Sequence, residues 1–587
     1  MGMTTRAILL LLCMALPGFA QFADQKHPRL WLRKSGETGI QQKIKSDPLA
    51  AKLHQAALDK ADAILDAPTC RYDIPDGRRL LRESRYALDN IMHCSYAWRF
   101  TGEEKYLKRA IAELKAACSL KDWNPPHFLD VAEMATAVAM GYDWLYADLQ
   151  PAERAMCEKA LRDKALRPAT ELYADDVWWS DARNNWGQVC GSGIALAAIA
   201  IQGKDEGLSA PLIRKGLDLL EKCEHFYTPD GVYPEGPGYW HYGTNYHVKL
   251  LAACKTLKHP VHIPPLFEQS GGSMMDLHSP QRVPFNFSDG KASVSSKSPA
   301  QAWIAQHFEN PAQSNDVRQV LNQAIDENSE LKGGFRSSPL MILWLPDAVD
   351  QNTPLPTHAI FHGEQSVAVF RSRWTSDAEW LAIKGGTPDG GHGHMDVGSF
   401  CYDAHGTRWI HDLGSDDYNM PGYFHDQRFT YYRLQNRSHN TLEIGGDLQD
   451  AEAQPSSIIA SNLENQPASA TFDLTNAYAH SAEKVIRTAT FDSRNGAARI
   501  HDEIDAPTGE VIWRVITDAE CEIHDNTVIL RKQGKSITLK RHSKDGRWSI
   551  HSATPPLGIE NPNEGISEVR LTVPKNDQIT IDVEIRP

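Results

Sequence analysis

Apolar residues recur three or four apart through the first part of the chain and at alternate positions through the last. From about residue 38 to 345 the helical period dominates. It predicts helices over 86–100, 103–119, 130–146, 152–173, 191–202, 210–226 and 242–257, with Thr101-Gly102 between the first two and Pro151 opening the fourth. Successive helix pairs with short Gly- or Pro-marked turns predict a bundle, solenoid or toroid of hairpins; no strict repeat selects among these. From about 358 the pattern turns to short alternating runs at 366–371, 379–384, 398–403, 408–412 and 440–444. Further runs lie at 484–492, 498–504, 511–517, 527–531, 536–541 and 568–573, with turns at 403–406 and 543–546, which predicts an antiparallel β-sandwich. A linker over 346–356 separates a helical domain (21–350) from a β domain (351–587), and a site is expected in the cleft between them.

The 587 residues are 41% hydrophobic and 23% charged, enough for large cores. The first twenty change the picture most. Arg6, the apolar stretch 7–16 and Gly18-Phe19-Ala20 read as a secretory signal peptide, too short to span a bilayer. The mature protein is therefore expected to be secreted or periplasmic, with no membrane span. Without Cys13, nine of the ten cysteines remain, mostly in apolar helical stretches and with no Cys-x-x-Cys pair. Buried free thiols are the first reading, and an oxidising compartment leaves room for one or two disulfides. A net charge of −14 excludes a general nucleic-acid surface but not an anionic ligand, which responds to the local potential of a cleft.

Four clusters could carry chemistry. Asn184-Asn185-Trp186-Gly187 precedes a helix, where paired Asn are either caps or donors to a substrate carboxylate. The stretch 230–242, rich in Gly, Pro and aromatics, suits sugar rings or plain packing; Tyr239 and Tyr242 are candidate proton carriers. Residues 390–396 read Gly-Gly-His-Gly-His-Met-Asp in a segment entering a strand, which predicts that His392 and His394 point to one side. His394, Asp412 and His439 together offer two imidazoles and a carboxylate, a set consistent with zinc or another borderline divalent ion, with His392 left over. Finally, Arg428, Arg433 and Arg437 lie in a Tyr-rich loop that fits a carboxylate or sulfate bidentately, or else makes cation–π contacts in solvent.

At these residues the chain resembles the heparinase II/III superfamily of polysaccharide lyases, with its related oligoalginate lyases. The resemblance spans nearly the whole mature chain. It rests on Asn184-Asn185-Trp186-Gly187, on residues 233–242, on His392-Gly393-His394-Met395-Asp396-Val397-Gly398-Ser399-Phe400 with Gly391 before it, on Asp412-Leu413-Gly414 and on Ser438-His439-Asn440-Thr441-Leu442. It implies an incomplete N-terminal (α/α) toroid followed by an antiparallel β-sandwich. It also implies β-elimination on a 1,4-linked uronate polymer such as heparan sulfate, chondroitin, hyaluronan or alginate. Carried over, Asn185 neutralises the uronate carboxylate, Tyr239 is the catalytic tyrosine and His392 a second catalytic group. His394, Asp412 and His439 hold one divalent ion, zinc before manganese or calcium, which braces the loops. Asn184, Trp186, Glu235, Tyr242, Arg428, Arg433 and Arg437 fall to substrate binding, and a homodimer is allowed. Several relatives carry His where this chain has Trp186, which leaves the base to a histidine or to Tyr239. Two other classes compete: a glycoside hydrolase pairing Glu235 with Asp230 or Asp130, and a non-catalytic polysaccharide-binding protein.

Overall fold

The computed structural model describes residues 25–293, 297–326, 338–350, 354–388, 390 and 392–587. The signal peptide expected over 1–20, and Gly391 of the histidine run, lie outside the described residues.

The helical domain is built on long apolar helices that bury almost every side chain. Leu81–Thr101, Phe128–Trp144, Asn185–Ile201, Gly236–Thr256 and Pro299–Phe308 form its inner layer, most packing on the next in order. Glu104–Ser119, Pro151–Leu161 and Glu206–Glu224 cover the outside, and Ser338–Leu343 packs back on Leu81–Thr101. This is the (α/α) toroid arrangement. Phe128–Trp144 is buried along its whole length, as an inner helix of two layers must be. Close approach comes from small residues: a Cβ on Gly193 would fall 2.5 Å from Ala132 O. The helix expected over 152–173 is broken by a π-helical turn, Arg162–Leu166, just ahead of Pro168, whose missing N–H disrupts the regular ladder. No described helix is long and apolar enough to cross a membrane.

The β domain holds three antiparallel sheets. In chain order the strands are β1 (His358–Phe361), β2 (Val367–Arg371), β3 (Trp380–Lys384), β4 (Phe400–Ala404), β5 (Thr407–Ile410), β6 (Leu442–Ile444), β7 (Ile458–Asn462), β8 (Ala468–Asp473) and β9 (Lys484–Asp492). They continue with β10 (Ala497–Asp505), β11 (Val511–Thr517), β12 (Glu520–His524), β13 (Thr527–Lys532), β14 (Lys535–Arg541), β15 (Arg547–Ser552), β16 (Ser567–Val573) and β17 (Gln578–Arg586). The sheets run β1-β2-β3-β4-β5, β12-β13-β14-β17-β10-β9-β8-β7 and β15-β16-β11-β6.

The first sheet is the joint between the domains, and its sequence shows why. Ala368, Phe370, Leu381 and Ile383 face the sandwich core, while the alternate residues Val367, Val369, Trp380 and Ala382 pack on Val232, Leu277, Phe285 and Phe287 of the helical domain. A strand buried on both faces is apolar along its length, as β2 and β3 are up to their last residues, Arg371 and Lys384. Arg371 at the end of β2 donates to the carbonyls of Met275, Asp276 and His278, which ties this sheet to the helical side.

Candidate active site

Asn184 caps the helix Asn185–Ile201: its side-chain oxygen accepts the Trp186 N–H at 3.1 Å. Its expected role toward substrate is thus replaced by capping. Asn185 starts the helix, is 2% exposed, and its Oδ1 has no partner among the described residues. Gly243, one turn after Tyr239, lets it approach: a Cβ there would meet Asn185 Cα at 3.2 Å. The buried Asn185 thus packs against the helix that carries Tyr239, one turn along from it.

Tyr239 reaches the β domain. Its ring stacks on His392 with centroids 3.9 Å apart, and its hydroxyl lies 2.5 Å from that of Tyr418. Burial, then the neighbouring Tyr418 and Asp289, push its pKa well above the usual tyrosine value, so the free protein holds a neutral phenol. His392 Nδ1 donates to Glu235 Oε1 at 2.7 Å, which leaves the lone pair on Nε2. Glu235, expected to bind substrate, instead orients this imidazole. Tyr242 is also engaged: its hydroxyl donates to Glu133 at 2.9 Å and Arg85 lies over its ring.

The two histidines of the 390–396 run meet different carboxylates, both from the helical domain. The segment is a loop between β3 and β4 rather than a strand entry, so the alternation of strand side chains does not apply. His394 instead turns to Asp289, with Nε2 2.8 Å from Oδ1. Asp289, from the helical side, also accepts Tyr423 OH at 2.9 Å and lies 3.2 Å from Arg428. Burial works against its charge, but His394 and Arg428 hold its pKa well below the ordinary carboxylate range. Sequence reading missed both Asp289 and Tyr418. They lie in loops without a motif, and only the docking of the two domains brings them to the site.

His439 Nδ1 sits 2.9 Å from Asp412 Oδ2, and Asp412 Oδ1 accepts the Gly414 N–H. The rings of His394 and His439 are 5.2 Å apart, and both residues are fully buried. Among the described residues no three His, Cys, Asp or Glu side chains stand gathered as a coordination set. The donor chemistry nevertheless suits a metal in one respect: His394 Nδ1 and His439 Nε2 are buried nitrogens without partners. A carboxylate holding the far nitrogen of an imidazole is the usual support of a metal-bound histidine.

The three arginines expected to meet substrate are engaged within the fold. Arg428 is buried and donates twice to Gly393 O. Arg433 donates to Asn563 and to Ser415 O, and Arg437 to Glu443 and Gly446 O. A chain folding a long loop over its site needs donors for the loop carbonyls, and these guanidiniums supply them. The carboxylates of the hydrolase alternative are likewise occupied: Asp130 accepts from Leu80 N–H and Asn124, and Asp230 from His362 N–H. The nine cysteines of the described residues are free.

Residues 367–584 match the family described as heparinase II/III-like, C-terminal. No curated protein matches the chain in sequence. In fold it is similar to a heparinase III with methylated lysines, at 16% identity and TM-score 0.58 over 96% of this chain and 93% of that one. It is similar also to a heparan sulfate lyase HepC mutant from Pedobacter heparinus, at 14% identity and TM-score 0.53 over 96% and 92%. A xanthan lyase from Paenibacillus aligns at 12% identity and TM-score 0.52 over 95% of this chain and 60% of its own. Residues 367–584 thus match the heparinase II/III-like C-terminal family by sequence, and the whole chain is similar in fold to these two-domain solved structures.

Proposed function

We propose that the protein is an exported polysaccharide lyase that cleaves a 1,4-linked uronate polymer by β-elimination. One observation carries the reading: a neutral tyrosine stacked on a carboxylate-oriented imidazole, on a helix that packs against the buried Asn185. In the reaction Asn185 hydrogen-bonds the uronate carboxylate and stabilises the enediolate that forms as the C5 proton leaves. His392 Nε2, with Nδ1–H held by Glu235, takes that proton. Tyr239 keeps its own proton in the free enzyme and delivers it to the departing O4, which leaves a 4,5-unsaturated uronate. The similar solved structures are named as lyases of heparan sulfate and xanthan, which supports the class of substrate without choosing the polymer.

A divalent ion, zinc by its donors, would be held by His394 and His439 with Asp412, and would brace the loop that carries His392. No step of the elimination passes through it. Chelation should therefore lower the melting temperature, and activity should return with the metal.

The test is the ultraviolet absorbance of the unsaturated product on alginate, hyaluronan, chondroitin and heparan sulfate. Wild type should produce it on at least one polymer, and Tyr239→Phe should lose it by at least about a thousandfold while circular dichroism stays unchanged. No absorbance on any uronate polymer with metal supplied would sink the lyase reading, and hydrolysis would show instead as reducing ends without the chromophore.

A further inference from the structure

The most exposed large aromatic of the described residues is Trp178, at 61%, in the short 3-10 turn Trp178–Asp181. It leans on Trp186, the residue immediately after Asn185, with ring centroids 4.8 Å apart and an interplanar angle of 56°. Trp186 is fixed from behind: Asn184 holds its N–H, and His127 meets its ring edge-on at 5.3 Å. His127 in turn is held by Asp130 at 2.7 Å. Packing explains Trp186, and beside it Trp178 keeps most of its indole face open to solvent.

The pair is continuous with the catalytic face. Asp130 accepts the Leu80 N–H, and the adjacent Arg79 donates to Asn419 and lies 6.0 Å from the Tyr418 ring centroid. Tyr418 touches Tyr239. One unbroken line of contacts therefore runs from the reacting tyrosine to the two indoles, and Asn185 is bonded directly to one of them in sequence. Flat apolar rings with a polar edge are the surface on which the C–H face of a pyranose packs.

We propose that Trp178 and Trp186 form a sugar-stacking subsite that holds a neighbouring ring of the same polymer whose uronate is held by Asn185. The proposal rests on the lyase reading and adds to it a determinant of substrate length and position. Beside Asn185 this chain offers an indole, so recognition next to the carboxylate is by stacking rather than by charge.

The experiment measures binding apart from turnover. In a Tyr239→Phe background, hexasaccharides of alginate, hyaluronan, chondroitin and heparan sulfate are titrated by calorimetry. Trp178→Ala should weaken the tightest of these about tenfold, and Trp178→Phe should restore most of the loss. In the otherwise wild-type enzyme Trp178→Ala should raise KM about tenfold and lower kcat less than threefold, the mark of lost ground-state binding. Unchanged affinity of Trp178→Ala for every hexasaccharide that binds would overturn the subsite. Failure of the lyase reading shows separately, as absence of unsaturated product from the wild-type enzyme.

Discussion

At the scale of single residues, the site sorts titrating groups by environment. Tyr239 is desolvated and faces other acids, so it is protonated in the free protein. His392 owes its tautomer to one hydrogen bond that its Nδ1–H donates to Glu235. Glu235→Gln keeps the shape but can present its amide nitrogen to Nδ1, which stabilises the wrong tautomer. We expect kcat to fall about tenfold to a hundredfold with KM little changed, measured on the polymer that gives the best rate. Of these groups, Asn185, Tyr239 and His392 were legible in the sequence because each stands in a dense local motif. Tyr418 and Asp289 were not, since neither has a neighbour in sequence that hints at its partner.

At the scale of elements, the helix Gly236–Thr256 carries the tyrosine and a liability. His241 and His247 on it, and His278 beyond the next helix, are buried, and burial lowers their pKa values to about 3, about 3 and about 4 from an ordinary 6.5. His241 faces His278 at 5.9 Å, has no partner on either nitrogen, and repels its proton further. A base whose folded pKa is depressed leaves stability intact above 6.5 and withdraws it as pH falls, because only the unfolded chain takes the proton. Each histidine should cost about 2 kcal/mol at pH 5. Urea melts at pH 7 and pH 5 should show the loss, and His241→Phe should recover about a third of it.

The same helix shows how far element boundaries could be read. Periodicity placed its start at 242, whereas Pro237 in the first turn lets it begin at Gly236. The sandwich edges β7, β12 and β15 were invisible because their side chains are mostly in water and carry no alternation. β17 alternates Ile579, Ile581, Val583 and Ile585 inward, a legible strand that the expected set lacks.

At the scale of the whole molecule, the break in periodicity near residue 350 announced two domains and a site in the cleft between them, but not which loops would meet there. Tyr239, Glu235 and Asp289 come from the helical side; His392, Tyr418, His394, Tyr423 and Arg428 come from the β side. Docking therefore assembles the candidate site, and Asp289 is where docking and activity can be separated experimentally. Its carboxylate receives a hydroxyl and an imidazole and faces a guanidinium, all buried, so Asp289→Asn leaves Arg428 without its counter-charge in a dry joint. Removing one partner of a buried pair costs about 3–5 kcal/mol. If the joint couples the domains, calorimetry should show a single transition shifted down rather than one domain melting early. Activity below the transition should fall as well, because Tyr418 and His392 ride on the same loops. A variant that splits the endotherm while keeping full turnover would show that the domains assemble the site without Asp289.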